Sequence, residues 1–461
     1  MDKKTLMNKV LSGGGWALTG KLIFAAASLL INAMLSRLLQ PQELGTYFIA
    51  FNIAFFGSIV GMLGLNQSIV KFLAENRRLA KYREMQRAVQ LVIGIALLGG
   101  AAIFVLYISF QHFLNLNLFH SPLLEQLAVP IAIWILCNMF QQLLAESFRG
   151  LDDIRFATIF GGLLSNLLLV AALSRYFFTG HPVLSDVIFL VNLSILLSIA
   201  ISLGALIKKL RNLPTAPGQR STVPHTAEAK RILAISLPIM VSAVTLFFLT
   251  SSDIWILGVF RDSDEVAVYG AATRLIALIA LCEIVSNSVL PSLIVTMNTK
   301  ETLPQLQKLG RIVTTISLLP AAAILFIFML LGPWILGTIF GSFYQQGYWV
   351  LILLSMGRVI NVCGGANGLL MTLAGYQKTL MYITLITSII TVIASILTVS
   401  SLGAHGLAAV MLVGLGLQNV FMWIWVKKKM GIVIHPDFPL LIDEARTYLD
   451  KKRAQNVTNV N

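Results

Sequence analysis

Charge is what this chain has least of. Asp, Glu, Lys and Arg make up 12% of its 461 residues. A soluble protein carries roughly 25%, so the deficit excludes an ordinary water-soluble domain. Cysteine is scarce: Cys137, Cys282 and Cys363 all lie inside apolar stretches, without spacing for a disulfide framework or a metal site. The histidines are scattered over loops and helix ends, so no metal cluster is visible. There is no P-loop, which excludes ATP hydrolysis by that route. No long aqueous loop is present to hold sugars, so the chain does not read as an enzyme. A membrane-bound polymerase or acyltransferase is the competing class. No cofactor is called for.

Apolar residues are what the chain has most of, at 57%, with a mean hydropathy of +0.82. They fall into runs of membrane-spanning length, since a helix rising ~1.5 Å per residue needs about 20 residues to cross ~30 Å of hydrocarbon. Candidate spans lie near 16–38, 46–70, 88–110, 127–147, 156–178, 186–207, 232–257, 267–296, 312–333, 348–371, 379–400 and 404–426. Lys3, Lys4 and Lys9 before the first run resemble a signal peptide, but the apolar stretch continues to about Leu39, so we read a retained span. The net charge of +14 is distributed by gap. Arg77, Arg78, Lys81, Arg83 and Arg87 fill the second gap, and Lys208, Lys209 and Arg211 open the sixth. Residues 111–126 and 331–348 hold no Lys or Arg. Positive loops stay cytoplasmic, which places both termini inside. Basic residues in short loops beside spans point to topology and anionic lipid, not to nucleic acid.

The expected fold is all-α, a polytopic membrane protein of about twelve transmembrane helices. The basic loop with Pro214, Pro217, Gly218 and Pro224 divides it. The expected domains are an N-terminal six-helix lobe (1–207), a cytoplasmic linker (208–230), a C-terminal six-helix lobe (231–426) and a cytoplasmic tail (427–461). The lobes carry a repeat. QELGTY (Gln42 to Tyr47) and DEVAVY (Asp264 to Tyr269) match at one offset, Glu43 with Glu265 and Tyr47 with Tyr269. Parallel repeats imply a pseudo-twofold axis along the membrane normal and a site between the lobes. In the tail, Leu440, Leu441, Ala445 and Leu449 could line one face of a short helix.

Polar residues inside spans are costly and mark function or interhelical pairing. Span one carries Lys21, Ser28 and Asn32 on one face, then Arg37 at its end. Snorkelling is the bland alternative for Lys21, and capping of its own helix for Arg37. Span four carries Asn138, Gln142, Glu146 and Arg149. Span seven carries Asp253, and span eight Arg274 and Glu283. Span ten carries Arg358 and Asn361. Asp253 with Arg274, or Glu283 with Arg358, are the structural pairings that compete with a functional role. Arg358 is too deep to snorkel, roughly 12–15 Å of helix rise from either interface.

RLLQPQELGTY (Arg37 to Tyr47), GLNQSIVKFLAE (Gly64 to Glu75), SLPIMVSAVTLFFLTSSDIWILGVF (Ser236 to Phe260) and DEVAVYGAATRL (Asp264 to Leu275) resemble the polysaccharide-biosynthesis flippases. These are O-antigen and exopolysaccharide repeat-unit translocases of the multidrug/oligosaccharidyl-lipid/polysaccharide (MOP) exporter superfamily. The resemblance implies two six-helix lobes, a bacterial inner (cytoplasmic) membrane and alternating access. It implies a polyprenyl-diphosphate-linked oligosaccharide as cargo, with other polysaccharide assembly proteins as further partners. Lipid II flippases of the superfamily usually carry two additional spans, which are not found here. Multidrug exporters, the alternative within the superfamily, usually keep acidic residues in the first span, where this chain has Lys21 and Arg37. On this reading Lys21, Asn32, Arg37, Asn138, Gln142, Arg274, Arg358 and Asn361 are candidates to line a cargo cavity. Asp253, Glu283 and Glu146 are candidates for H+ or Na+ coupling or for gates.

Overall fold

The computed structural model describes residues 3–180, 182–213, 225–296, 303–365, 367–444 and 446. Pro214, Pro217, Gly218 and Pro224 of the expected linker lie outside them, as do Ala445 and Leu449 of the tail. The described chain is helical, with no strand among the described residues. It runs α1 (Lys3–Leu38), α2 (Pro41–Gly61), α3 (Leu65–Arg78) and α4 (Tyr82–His112), which ends in a π-helical turn, Phe113–Leu118. Next come α5 (Pro122–Gln126), α6 (Ala128–Gly150), α7 (Ile154–Thr158), α8 (Leu164–Ser174), α9 (Tyr176–Thr179) and α10 (Leu184–Arg211). The second part holds α11 (His225–Phe260), α12 (Ser263–Thr296), α13 (Leu303–Ile339), α14 (Tyr348–Cys363), α15 (Asn367–Leu373) and α16 (Gln377–Met430).

Among the described residues, 11 helices are long and apolar enough to cross a membrane. One of them, α16, has 54 residues. At ~1.5 Å per residue it would be ~80 Å long, far beyond a ~30 Å hydrocarbon layer. It is broken at Gly403, whose φ of 55° and ψ of −144° are not helical. The helix therefore supplies two spans, and the count reaches the twelve expected. Glycine is required at the break: a Cβ there would lie 2.2 Å from Glu265 Oε1, in a left-handed backbone. Glu265 accepts the Ala404 N–H at 2.6 Å, so the carboxylate fills the space a side chain would need.

The span expected at 46–70 is divided. Helix α2 ends at Gly61, and Leu63 and Gly64 take φ of 52° and 76° before α3 starts. A Cβ on Gly64 would meet Ser236 O at 2.2 Å, so α11 passes against the break. The span expected at 348–371 is likewise split into α14 and α15.

The chain forms two compact units. The first comprises 1–271, 337–344 and 399–404, and the second 272–336, 345–398 and 405–461. In the first, Leu65, Ile69, Met85, Met139, Leu143 and Phe148 share an apolar core. Polar pairs lie inside it: Ser68 Oγ is 2.6 Å from Ser236 Oγ, and Gln141 donates to Ser165 at 2.8 Å. Lipid tails are as apolar as leucine, so such pairs and close packing, more than hydrophobic exclusion, hold helices together. The basic loops are pinned by carboxylates: Arg77 lies 3.1 Å from Asp152, Arg87 3.3 Å from Glu228, and Lys209 pairs with Asp153.

The repeated stretches meet in this first unit. Gly45 of QELGTY lies against the Ser263 backbone, and Gly270, next after DEVAVY, lies under the Phe48 ring. Glu43 accepts the Gln40 N–H at 3.0 Å and so caps α2, where Pro41 sets the first turn.

In the second unit, Leu306, Met371, Met422, Val426, Ile432 and Ile434 form a core. The chain after α16 takes part in it. Residues 431–437 run along α13, Ile434 lies against Gly310, and Val433 N–H donates to Gln307 at 3.0 Å. Arg311 donates to Val433 O at 3.1 Å and to Asp437 at 2.9 Å, and Lys308 pairs with Glu444.

Candidate functional site

In the second unit, three helices bring their polar side chains to one place. Glu283 of α12, Asn361 of α14 and Asn419 in the second half of α16 form a chain. Asn361 Nδ2 donates to Glu283 Oε1 at 2.8 Å, and Asn419 Nδ2 donates to Asn361 Oδ1 at 2.9 Å. Asn419 Nδ2 also donates to Leu415 O at 2.9 Å. A carboxylate only accepts, so Glu283 dictates which way the Asn361 amide points, and Asn361 in turn orients Asn419. The other carboxylate oxygen of Glu283 has no protein donor among the described residues.

Arg358 lies one turn before Asn361 on α14 and is half-buried. It makes no hydrogen bond or ion pair among the described residues, with Glu283 or with any other carboxylate. Four residues of its own helix around it, Leu351, Ile352, Leu354 and Ser355, are buried. A guanidinium has five N–H donors and cannot be discharged near neutral pH. Inside a span such a charge is costly, and no carboxylate among the described residues meets it.

The other singled-out residues are placed separately. Arg274, also in the second unit, is half-buried on α12. In the first unit Arg37 spans from α1 to the end of α13: its Nε donates to Ile339 O at 3.3 Å and its Nη2 to Thr338 O. It caps a helix C-terminus, where cations are favoured, but that of α13 and not its own. Asp253 is 6% exposed, accepts the Tyr269 hydroxyl at 2.8 Å and takes the Ile254 N–H at 2.9 Å. Glu146 pairs with Arg149 on the same helix. Asn32 is 6% exposed; its Nδ2 donates to Ser28 O at 2.7 Å, while Oδ1 is buried without a partner. Lys21 is exposed on α1, and Asn138 and Gln142 are half-buried on α6. None of these three makes a side-chain hydrogen bond among the described residues.

Two participants were not singled out in the sequence. Asn419 sits in GLGLQNVFMW, and its polarity there was the available signal. Tyr269 was noted only as a repeat marker, yet its hydroxyl is what Asp253 holds.

The sequence model for the family described as polysaccharide biosynthesis protein matches residues 10–297. Solved structures share the fold. The lipid II flippase MurJ in an inward closed conformation superposes with a TM-score of 0.70, at 15% identity, over 89% of this chain and 87% of that one. An inward-facing multidrug resistance MATE family transporter of the MOP superfamily gives 0.67 at 16% identity, over 88% and 94%. A MOP superfamily transporter from Pyrococcus furiosus, noted for reverse polarity of its binding pocket, gives 0.64 at 16% identity, over 92% and 95%. No curated protein matches the chain by sequence.

Proposed function

Because the chain belongs to the polysaccharide biosynthesis protein family, we propose that it is a flippase for a polyprenyl-diphosphate-linked oligosaccharide. It carries this cargo from the cytoplasmic to the periplasmic leaflet by alternating access of two six-helix halves, in a bacterial inner membrane with both termini inside. The observation that carries the reading is Arg358. A guanidinium inside a span, without a partner among the described residues, suits a diphosphate, whose oxygens match its fork of donors. Arg274, in the same unit, adds positive charge. Arg37 caps α13.

The carboxylates divide by what they face. Asp253 has a tyrosine hydroxyl and Glu146 an arginine. Among the described residues Glu283 meets only the Asn361 amide, with one oxygen left over. It is the best candidate to take a proton or Na+ when cargo moves, or to meet Arg358 once cargo has left.

The test is translocation in reconstituted vesicles. A labelled polyprenyl-diphosphate oligosaccharide should cross with the wild-type protein and not with Arg358→Ala. Wild-type vesicles that leave this lipid in place, while expelling a cationic drug against a proton or Na+ gradient, would overturn the reading in favour of an exporter.

A further inference from the structure

Two cavities in the first unit meet at Phe119. One is apolar, about 370 Å³, walled by Ile53 and Phe56 of α2, Tyr107 and Phe110 of α4, and Trp255 of α11. The other is polar, about 440 Å³, bordered by Gln42, His120, Arg261, Asp262 and Asp264. Phe119 lines both, its ring 6.4 Å from that of Trp255. Along α2 the polar cavity begins at Gln42 and the apolar one reaches Ile53 and Phe56. That is ~16–21 Å further by helix rise. Half of a bilayer's hydrocarbon is ~15 Å thick. The pair therefore has the dimensions of one lipid in one leaflet, with a polar end at the helix termini and an apolar end beside the spans.

The charges select the headgroup. Arg261 is engaged: its Nε donates to Val399 O at 3.1 Å and lies 3.5 Å from Glu265. The side chains of His120, Asp262 and Asp264 make no hydrogen bond or ion pair among the described residues. His120 takes φ 50°, a conformation sparse for residues other than glycine. Two uncommitted carboxylates and one imidazole border this cavity. Such a pocket repels a purely anionic headgroup, including a diphosphate, and attracts a primary ammonium that can donate to both carboxylates. In the apolar chamber the aromatic walls suit a hydrocarbon chain, and a water molecule would find almost no polar partner.

We propose that these two cavities seat one phospholipid with an amine headgroup. The ammonium lies between Asp262 and Asp264, the phosphate beside His120 and Arg261, and an acyl chain passes Phe119 to reach Trp255. The lipid would then touch α2, α4 and α11 together, and by mass action stabilise the arrangement in which these helices pack. This does not depend on what the protein transports.

Trp255 supplies the probe, because bromine on an acyl chain quenches indole fluorescence on contact. The protein is reconstituted in vesicles with a fixed fraction of brominated phosphatidylethanolamine or brominated phosphatidylglycerol. The Trp255 share of the quenching is the difference between wild type and Trp255→Phe. The expected result is several-fold stronger quenching by the ethanolamine lipid, with that preference lost in Asp262→Asn/Asp264→Asn. Equal quenching by both lipids, none by either, or preference for the glycerol lipid would overturn the proposal without reference to any variant's folding. Preference retained in the double variant would overturn the placement of the headgroup.

Discussion

Arg37 and Arg358 are the same residue type near opposite extremes of circumstance. Arg37 stands at the end of a span and is exposed, yet its guanidinium is committed to the last carbonyls of α13. Arg358 stands inside a span, half-buried, and is committed to nothing among the described residues. Depth alone would have ranked their needs the other way, since the deeper charge needs a partner more. On the proposed reading, the first serves binding and the second architecture. The carboxylates repeat the contrast: Asp253 holds a tyrosine, while Glu283 takes one amide, that of Asn361, and its other oxygen has no donor among the described residues.

The largest effect should come from Arg358. We expect Arg358→Ala to abolish glycan export in a host lacking its own copy, at near-normal protein level, and Arg358→Lys to retain part of it, since charge survives but the bidentate fork does not. Wild-type export from the alanine variant would break the comparison at its stronger end. A hidden pairing would show differently: Glu283→Ala would restore what Arg358→Ala lost.

Next in size is Glu283→Gln. It keeps the hydrogen bond from Asn361 through its carbonyl oxygen but takes up no proton and offers Na+ no negative charge. Cargo binding should survive while transport loses its dependence on the ion gradient. Unchanged gradient dependence in vesicles would remove Glu283 from the coupling role.

Arg37→Ala should behave as a structural change. Hydrogen bonds to a charged group contribute ~1.5–3 kcal/mol when well shielded, and exposure reduces this to about 1 kcal/mol. The melting temperature should fall modestly, with export per folded molecule close to wild type. Loss of export at full stability would place Arg37 with Arg358 and dissolve the contrast.

The smallest shift belongs to Asn419→Leu. Interhelical hydrogen bonds in membranes average ~0.6 kcal/mol, so a slight loss of stability in detergent unfolding is expected. Asn361 stays held by Glu283 but its Oδ1 loses its donor, and the informative readout is a change in apparent cargo affinity larger than the stability change.

The spans were legible in the sequence because lipid imposes one length and one polarity on each. The breaks were less so. Gly64 interrupts an apolar run that hydropathy reads as continuous, and its need for glycine arises from Ser236 O, far away in the chain. Gly403 was placed between two spans, but that the helix nearly continues through it depends on Glu265. The same holds for the polar residues. Spacing put Arg358 and Asn361 on one face, because both lie on one helix. It could not deliver Asn419 or the carbonyls held by Arg37, since no periodicity records which helices are neighbours.

The strap that follows α16 has a practical side. Ile432 and Ile434 are buried against α13, and Arg311 and Lys308 clamp the segment as far as Asp437 and Glu444. An affinity handle or fluorescent reporter spliced directly after Met430 would displace this strap and bare the groove over Gly310. Poor yield of such a fusion would then report on the missing strap and say nothing about the spans. A handle placed after the last residue leaves the clamp intact, and yields from the two fusions, compared side by side, measure what the strap is worth to the folded protein.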